Sequence, residues 1–345
     1  MRKLMPLLGC ALFVLGGCGA AVPQASTLPK DFLPSAISFW TARSGIMTGV
    51  NGATNTVYLA ATSDGGRTWR VRLRLPERRL YVADPFVDTS SSGRGWFTFE
   101  TCVRSGGYPF TDCTIHALQT GDGGAHWKQG GPRSTSFSFV GRSGWAIAPY
   151  RSNPLNVRLY RLTAASRGPE LMQAQVSAPC SGDALGSSPS LGGVASLGGQ
   201  KALLVCVGQE MTLLSAVTVQ AKYFYETSDG GKTWDHILTV PASVSGSVLS
   251  SGAFQGMTFL PGSRGWLWSS RGGLYGSDDG GRNWIVTPLV RELEVEEPLS
   301  VSFAGARIGY ALLQGRPGGP YISLMQTRDG GATWTAVGGW TPPAY

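Results

Sequence analysis

Charged residues are scarce in this sequence, and so are cysteine and histidine. Asp, Glu, Lys and Arg together make up 14% of the 345 residues, whereas an average soluble domain has about 25%. This low fraction excludes a coiled coil and a highly charged disordered chain. The 6 cysteines form no CxxC pair and the 3 histidines are scattered, so the sequence predicts no metal site. It also lacks a phosphate-binding loop and a dinucleotide fingerprint, and no cofactor is predicted.

Glycine, proline and aromatic residues are abundant instead. The chain has 49 Gly and 21 Pro, and Phe, Trp and Tyr make up 10% of it. Because Gly and Pro interrupt helices and aromatic residues favour strands, this composition predicts an all-β fold of short strands joined by tight turns. The length fits two or three domains or one large all-β unit. The formal net charge of +8 is a mild basic excess.

The first residues have the composition of an export signal. Two basic residues precede an apolar stretch over residues 4–15, which is too short to span the roughly 30 Å of a bilayer core as a helix. The LGGC sequence that ends at Cys18 resembles the lipobox of bacterial lipoproteins. This resemblance implies a signal peptide over residues 1–17 and a membrane lipid anchor on Cys18. The alternative is an ordinary secretory signal that is cleaved near Ala20.

Both versions predict an exported protein, and the lipoprotein version predicts that it is lipid-anchored to the outer face of the cell membrane or facing the periplasm. Residues 18–34 are small, polar and proline-containing, which predicts a flexible tether. Residues 35–345 remain for the folded domain. A basic domain in the cytosol would suggest nucleic acid as a partner, but export argues against it, so no nucleic-acid partner is predicted.

One short pattern, Ser/Thr-x-Asp-Gly-Gly-x-x-Trp, occurs five times. Successive copies are 58, 107, 50 and 50 residues apart, and the long interval is about twice the others. One unit between the second and third copies has therefore lost the pattern, which predicts six units. The aspartates are Asp64, Asp122, Asp229, Asp279 and Asp329, and the tryptophans are Trp69, Trp127, Trp234, Trp284 and Trp334.

A second marker, an arginine followed by a Gly-aromatic or similar pair, supports the same count. One copy lies in the long interval and marks the missing unit, whose own turn is predicted near residues 165–169. The arginines of this marker are Arg43, Arg94, Arg142, Arg264 and Arg307.

The residues of the first pattern suit a tight hairpin. Gly-Gly fits a two-residue loop in which both central residues have positive φ. The aspartate can accept hydrogen bonds from backbone N–H groups two or three residues further on, with support from the Ser/Thr hydroxyl. The tryptophan can bury its ring over the turn. We therefore interpret the motif as a structural element of the fold.

These segments resemble Asp-box, or BNR, repeats, and the arginine marker makes the chain similar to the photosystem II assembly factor Ycf48/Hcf136 type of propeller. The resemblance covers about residues 35–345 and implies a β-propeller of four-stranded blades. Six units imply six blades, with seven as the alternative if the two ends of the chain share a blade. The resemblance also implies a role in assembling membrane protein complexes.

Four cysteines remain after the predicted signal and lipidation site, and an even number in an oxidising compartment predicts disulfides. Three connectivities are open. We favour Cys102–Cys113 with Cys180–Cys206, because each pair lies within one repeat unit.

Asp-box propellers include sialidases and other glycosidases, so an enzyme is the alternative function. The Arg-Ile-Pro signature of sialidases is absent, and Tyr223, Tyr225 and Glu226 fit a packed strand better than a nucleophile pair. No spacing pairs two carboxylates across a groove, as other glycosidases require. The sequence therefore predicts no catalytic residue.

Basic residues suggest binding instead. The five marker arginines recur at one place in the repeat, so they form a ring that binds a partner or, alternatively, clamps the blades. Arg70, Arg72 and Arg74 alternate with apolar residues, which predicts an exposed strand with one basic face. The favoured function is a non-catalytic platform that binds a protein partner at the membrane. The alternative is a carbohydrate-active propeller with a glycan as ligand.

Overall fold

The computed structural model is a β-propeller of six four-stranded antiparallel sheets. Turns that carry the Asp-Gly-Gly pattern or the arginine marker separate many of its short strands. The strands of each blade pair in chain order. The described residues are 27–51, 53–76, 80–89, 93–103, 113–131, 133–134, 136–150, 153–164, 171–180, 190–212, 218–242, 248–270, 273–289, 297–315 and 321–341.

The first three blades occupy the N-terminal half of the chain. Blade 1 contains β1 (Phe32–Phe39), β2 (Gly45–Asn51), β3 (Thr56–Thr62) and β4 (Arg70–Pro76). Blade 2 contains β5 (Leu80–Thr89), β6 (Gly95–Val103), β7 (Cys113–Thr120) and β8 (Lys128–Gln129). Blade 3 contains β9 (Ser136–Val140), β10 (Ser143–Tyr150), β11 (Asn153–Ala164) and β12 (Leu171–Val176).

The other three blades complete the ring. Blade 4 contains β13 (Ser190–Gly198), β14 (Lys201–Thr212), β15 (Thr218–Thr227) and β16 (Asp235–Val240). Blade 5 contains β17 (Phe254–Phe259), β18 (Gly265–Ser269), β19 (Leu274–Ser277) and β20 (Ile285–Thr287). Blade 6 contains β21 (Glu297–Phe303), β22 (Gly309–Gln314), β23 (Ile322–Thr327) and β24 (Thr335–Trp340).

Blades 1 and 6 meet to close the ring, and each has four strands of its own. The first strand of each blade contacts the first strand of the next, and β1 contacts β21 in the same way. At this closing seam the Phe39 N–H donates to Ser302 Oγ at 2.8 Å and the Ile37 N–H donates to Ser300 Oγ at 3.2 Å. The prediction of six blades is confirmed, and the alternative of a shared seventh blade is wrong.

The Gly-aromatic pair of the second marker explains how neighbouring blades pack. At three of the six seams, the aromatic ring on the second strand of one blade stacks on the phenylalanine that ends the first strand of the next. Trp266 lies 3.4 Å from Phe303 between ring centroids, and Tyr310 lies 3.6 Å from Phe39 across the closing seam. Each stacked pair contributes about 0.5–1.5 kcal/mol beyond its burial.

Two sequence boundaries are refined by the strands. β1 begins at Phe32, so the predicted tether over residues 18–34 overlaps the first strand by its last three residues. The predicted degenerate turn near 165–169 falls in the interval between β11 and β12, where residues 165–170 lie outside the described residues. Cys18 and the predicted signal also lie outside them. No helix among the described residues is long and apolar enough to cross a membrane.

Candidate functional site

Both sequence markers lie at one face of the propeller, which we call the Asp-box face. In a four-stranded antiparallel blade the first and third turns lie at the same edge of the sheet. Backbone hydrogen bonds join them: the Gly65 N–H donates to the Arg43 carbonyl at 2.9 Å, and the Gly330 N–H donates to the Arg307 carbonyl at 2.9 Å. The aspartates and the marker arginines therefore share one face.

The Asp-box turn is a closed set of hydrogen bonds. In blade 1 the buried Thr62 hydroxyl donates to Asp64 Oδ1 at 2.8 Å and accepts from the Gly66 N–H at 3.0 Å. Asp64 Oδ1 also accepts from the Thr68 N–H at 3.0 Å, and Oδ2 accepts from the Thr68 hydroxyl at 2.6 Å. The structural interpretation of the five aspartates is consistent with this geometry, which occupies both carboxylate oxygens within the turn.

The turn is longer than the sequence suggested. Both glycines have positive φ, 79° at Gly65 and 86° at Gly66, as predicted. However, β3 ends at Thr62 and β4 begins at Arg70, so the prediction of a two-residue hairpin is wrong. The aspartate accepts a hydrogen bond from the N–H four residues further on, so it spans a turn longer than a two-residue loop.

The sequence analysis missed one position of this motif, four residues after the aspartate. The side chain four residues after each aspartate binds its Oδ2 atom. A signal for it exists in the sequence, because threonine recurs at this position in three of the five copies. These residues are Thr68, His126, Thr233, Asn283 and Thr333.

These hydrogen bonds hold the aspartates ionised. Slight burial raises the pKa of Asp64, but the bonds from Thr68 and Thr62 outweigh it and lower the pKa to about 2. The pKa of Asp329 falls to about 2 through its bonds from the Thr333 side chain and backbone. The pKa of Asp229 is lowered in the same way, chiefly by the Thr233 N–H.

The motif tryptophans lie just before the fourth strand of their blades. In four copies the indole N–H donates to the carbonyl of the second glycine, for example Trp69 to Gly66 at 3.0 Å. Trp234 differs, because it donates to the Ser177 carbonyl at 3.1 Å and packs edge-on against Trp145 of the preceding blade. Four tryptophans therefore hydrogen-bond to their own turns, and the fifth contacts the preceding blade.

The five marker arginines do not form a ring of equivalent side chains. Arg43, Arg142 and Arg307, which stand two residues before the glycine, are exposed. Arg264, which stands directly before it, is half-buried, with Nε 3.4 Å from Asp278 Oδ1 and Cζ 5.4 Å from the centre of the Trp266 ring. Arg94, the other such residue, is also half-buried. A one-residue offset therefore separates three surface arginines from two that pack against the blades.

Arg94 lines an open pocket of about 430 Å³ on the Asp-box face of blade 2. Asp122, His126 and Trp127 lie in the same wall. His126 Nδ1 is 2.7 Å from Asp122 Oδ2, so this carboxylate is engaged within its own turn. The pocket thus offers a guanidinium and an aromatic surface.

The central channel is a second cavity, of about 300 Å³, enclosed by the innermost strands of all six blades. Serines from three of these strands, with Thr258 and Gln255, supply polar atoms, and Phe86, Phe137 and Trp268 supply rings. Asp88 of β5 is the one titratable side chain among the described residues of the wall. It accepts a hydrogen bond at Oδ2 from the Phe139 N–H of blade 3, at 3.1 Å.

Asp88 is in an unusual electrostatic environment. Asp88 is partly buried, and its exposed part faces the channel. Burial raises the pKa of Asp88 to about 7, although hydrogen bonds from Phe139, Thr89 and Ser38 act in the opposite direction. The sequence analysis missed this residue. The signal was a single Asp at a position where four of the other repeats carry Ser or Thr before an aromatic residue.

The four predicted cysteines form the favoured disulfides, Cys102–Cys113 and Cys180–Cys206. The first joins β6 to β7, and the second joins the segment after β12 to β14. Glu100 lies near Cys102 and Cys113, and the three side chains together resemble a set of metal ligands. The two sulfur atoms are bonded to each other in the disulfide, which explains why these groups lie close together. Two disulfides are typical of a protein that folds in an oxidising, extracytoplasmic compartment.

The predicted basic strand is confirmed. It is β4, the outermost strand of blade 1, where Arg70, Arg72 and Arg74 are exposed. Leu73 and Leu75 face the other way and pack against the core between blades 1 and 2. Tyr223 and Tyr225 likewise lie on β15 and pack against a core cluster, so the strand interpretation of that segment is also confirmed.

Comparisons with known proteins agree with the propeller fold. No protein-family profile and no curated protein matches the sequence. Among solved structures, the α-L-arabinofuranosidase Arb93A from Fusarium graminearum, in complex with an iminosugar inhibitor, matches with a TM-score of 0.55 at 12% identity, covering 89% of this chain and 96% of that one. At that identity the similarity concerns the fold.

Two further structures belong to the groups that the sequence resembles. YCF48 bound to a D1 peptide matches with a TM-score of 0.43 at 22% identity and covers 91% of this chain and 83% of that chain. The Hadza microbial sialidase Hz136 matches with a TM-score of 0.39 at 15% identity and covers 89% and 58%.

Proposed function

We propose that the protein is a non-catalytic extracytoplasmic β-propeller, tethered to the membrane through Cys18, that binds a protein partner and supports the assembly of membrane complexes. The observation that carries the proposal is the chemistry of the channel. Its described wall holds one carboxylate, Asp88, whereas glycosidases use two carboxyl groups roughly 5–10 Å apart. A cavity with one such group favours binding over hydrolysis.

The Asp-box face supplies a surface for a partner. Arg43, Arg142 and Arg307 are exposed there, while the carboxylates of the Asp-box turns on the same face accept hydrogen bonds within their own turns. Guanidinium groups bind carboxylates through paired hydrogen bonds. An acidic segment of a membrane protein is therefore the partner that this face fits best.

Capture from gently solubilised membranes tests this surface. We expect the tagged wild-type protein to recover a defined membrane complex that an Arg43/Arg142/Arg307→Ala variant loses. An Arg70/Arg72/Arg74→Ala variant is the matched control, because it removes the same charge from the exposed β4 strand of blade 1. Loss of the complex only in the control variant would place the interface on β4 instead, and equal recovery by all three proteins would contradict an arginine interface.

A carbohydrate-active function is the second candidate, and Asp88 is the observation that favours it. A carboxyl group with a pKa of about 7 suits a general acid at neutral pH. The fold similarity to the arabinofuranosidase gives the substrate class to try first. Turnover of aryl arabinofuranosides or sialosides by the wild type, lost on Asp88→Asn, would replace the binding proposal with an enzymatic one.

A further inference from the structure

The repeat places one equivalent residue of every blade next to the channel. In blade 2 this residue is an aspartate, whereas the other blades have uncharged residues. Each of these residues pairs with the residue that follows the marker glycine or its equivalent, as Ser38 pairs with Ile46 and Asp88 pairs with Trp96. The six residues, in blade order, are Ser38, Asp88, Ser138, Ala195, Thr258 and Ser302. The carboxylate occurs once, among hydroxyls and one methyl group.

The seam between blades needs only a hydroxyl at this position. Ser302 Oγ accepts from the Phe39 N–H at 2.8 Å, and Ser38 Oγ accepts from the Thr89 N–H at 2.9 Å. Ser138 Oγ accepts from the Ser196 N–H at 3.1 Å. Asp88 makes the same kind of bond to the Phe139 N–H at 3.1 Å. A serine at position 88 would satisfy this N–H equally well, so the fold does not require the carboxylate.

The carboxylate opposes folding rather than favouring it. Burying an ionised group without a counter-charge is costly. No other titratable side chain comes from the described parts of the channel wall, which includes residues of β1, β5, β9, β13, β17, β18 and β21. The described wall of the channel therefore supplies no opposite charge to Asp88. In blades 1 and 3, on either side, a neutral serine makes the equivalent seam hydrogen bond.

We propose that the central channel binds a small organic cation, a primary ammonium or guanidinium group, and that Asp88 is its counter-charge. The cavity of about 300 Å³ is at the lower end of the range for ligand sites. Serine hydroxyls of the wall accept hydrogen bonds from the N–H groups of the cation. The aromatic residues Phe86, Phe137 and Trp268 also line the cavity, and aromatic rings attract a cation on a short aliphatic chain.

This ligand has two sources, a free amine or a basic side chain that a partner inserts into the channel. The inference does not depend on the partner proposed for the Asp-box face. A free amine and a lysine side chain carry the same charged group, but only the free amine can enter a channel whose mouths exclude a backbone. Probes of both kinds therefore separate the two sources.

The test is titration calorimetry with n-butylamine, n-butylguanidine and the capped tripeptide Gly-Lys-Gly at about pH 8, where most of Asp88 is ionised. We expect both small cations to bind the full-length protein and n-butanol not to bind. Asp88→Ser should weaken binding by about 10- to 100-fold while it keeps the seam hydrogen bond. Binding of the tripeptide as well would assign the site to a presented side chain, and its exclusion would assign it to a free amine.

Dependence on pH provides a second readout. Because the ammonium stays charged throughout this range and Asp88 does not, affinity should fall about tenfold between about pH 8 and about pH 6. Asp88→Asn is the second variant, in case serine disturbs blade 2, and it should also abolish the pH dependence. Equal binding of butanol, unchanged binding by both variants, or no binding at about 10 mM cation would each overturn the proposal.

Discussion

At the scale of single residues, the Ser/Thr hydroxyl is the centre of each Asp-box turn. Thr227 is 1% exposed, and its hydroxyl donates to Asp229 Oδ1 at 2.9 Å while it accepts from the Gly231 N–H at 2.9 Å. This hydroxyl accepts a hydrogen bond from the buried Gly231 N–H, which lies in the turn and is not part of a strand. The threonine therefore matters as much as the aspartate that gives the motif its name.

We predict that Thr227→Val lowers the free energy of unfolding by about 1–3 kcal/mol, because it leaves the buried Gly231 N–H without an acceptor. Thr227→Ser is the control, since it keeps the hydroxyl and loses only one methyl group, worth about 0.8 kcal/mol. Chemical denaturation measures both. Equal losses in the two variants would show that packing, and not the hydrogen bond, holds the turn.

The Asp-box carboxylates predict an acid-sensitive stability. The pKa values of Asp64, Asp122 and Asp329 are lowered from 3.8 to about 2. A depressed carboxyl pKa contributes stability that is present above the unfolded value and lost as the pH falls through the folded value. The free energy of unfolding should therefore decrease as the pH falls from about 4 to about 2. Urea titrations across this range measure it.

The matched variant for this prediction replaces all three aspartates by asparagine. Asparagine keeps an acceptor oxygen in each turn but does not titrate, so the decrease between about pH 4 and about pH 2 should become shallower. A wild-type stability that does not change over this interval would contradict the assignment of these ionised hydrogen bonds.

At the scale of elements, a glycine makes room for a phenylalanine ring beside the seam in four of the six blades. A Cβ at Gly309 would lie 2.4 Å from Phe303 Cε1. The Phe303 ring stacks in turn on Trp266 of blade 5. The glycine of the Gly-aromatic pair thus makes room for a ring of its own blade, and the aromatic residue of the pair stacks on a ring of the next blade.

Alanine substitutions at two glycines of blade 6 test this account. Gly309→Ala should lower the free energy of unfolding by about 1–3 kcal/mol, because the new methyl group displaces Phe303 from its stack. Gly305→Ala should have no such effect, because no atom lies within 4 Å of its added Cβ. Thermal unfolding, with near-ultraviolet circular dichroism to follow the Trp266 environment, distinguishes the two. Similar losses at both sites would indicate a general cost of alanine in the turn.

At the scale of the whole molecule, the disulfides constrain different lengths of chain. Cys102–Cys113 closes a separation of 11 residues within blade 2, whereas Cys180–Cys206 closes 26 and ties the segment after blade 3 to blade 4. Both Cys180 and Cys206 are buried. The second bridge therefore restrains the relative position of two blades as well as the unfolded chain.

We predict that the Cys180→Ser/Cys206→Ser variant loses more stability than Cys102→Ser/Cys113→Ser, because loop-closure entropy grows with the length of the closed loop. Losses of about 2–4 kcal/mol are typical for a native disulfide. Guanidinium denaturation of the two double variants compares them directly. A greater loss from the shorter bridge would indicate that local packing around blade 2 outweighs loop entropy.

The sequence by itself determined the features that repeat locally. The Asp-Gly-Gly turns, their tryptophans and the Gly-aromatic pairs recur at intervals near fifty residues, and they predicted the all-β class, six blades and both disulfides. Turn chemistry acts over a few residues, so it is legible without knowledge of the fold. The two-residue hairpin was wrong because the hydrogen bonds that lengthen the turn involve Thr68 and its equivalents, which the pattern left unspecified.

The tertiary structure alone decided which blades touch and which side chains face the channel. Tyr310 meets Phe39 only because the ring closes, and Asp88 reaches the channel only because six innermost strands converge there. The marker arginines separate into exposed and half-buried groups through a one-residue offset, since the exposed arginines lie within the turn, whereas Arg94 and Arg264 stand directly before the glycine that begins the second strand. These outcomes depend on packing between segments about fifty residues apart or at opposite ends of the chain, which local sequence does not encode.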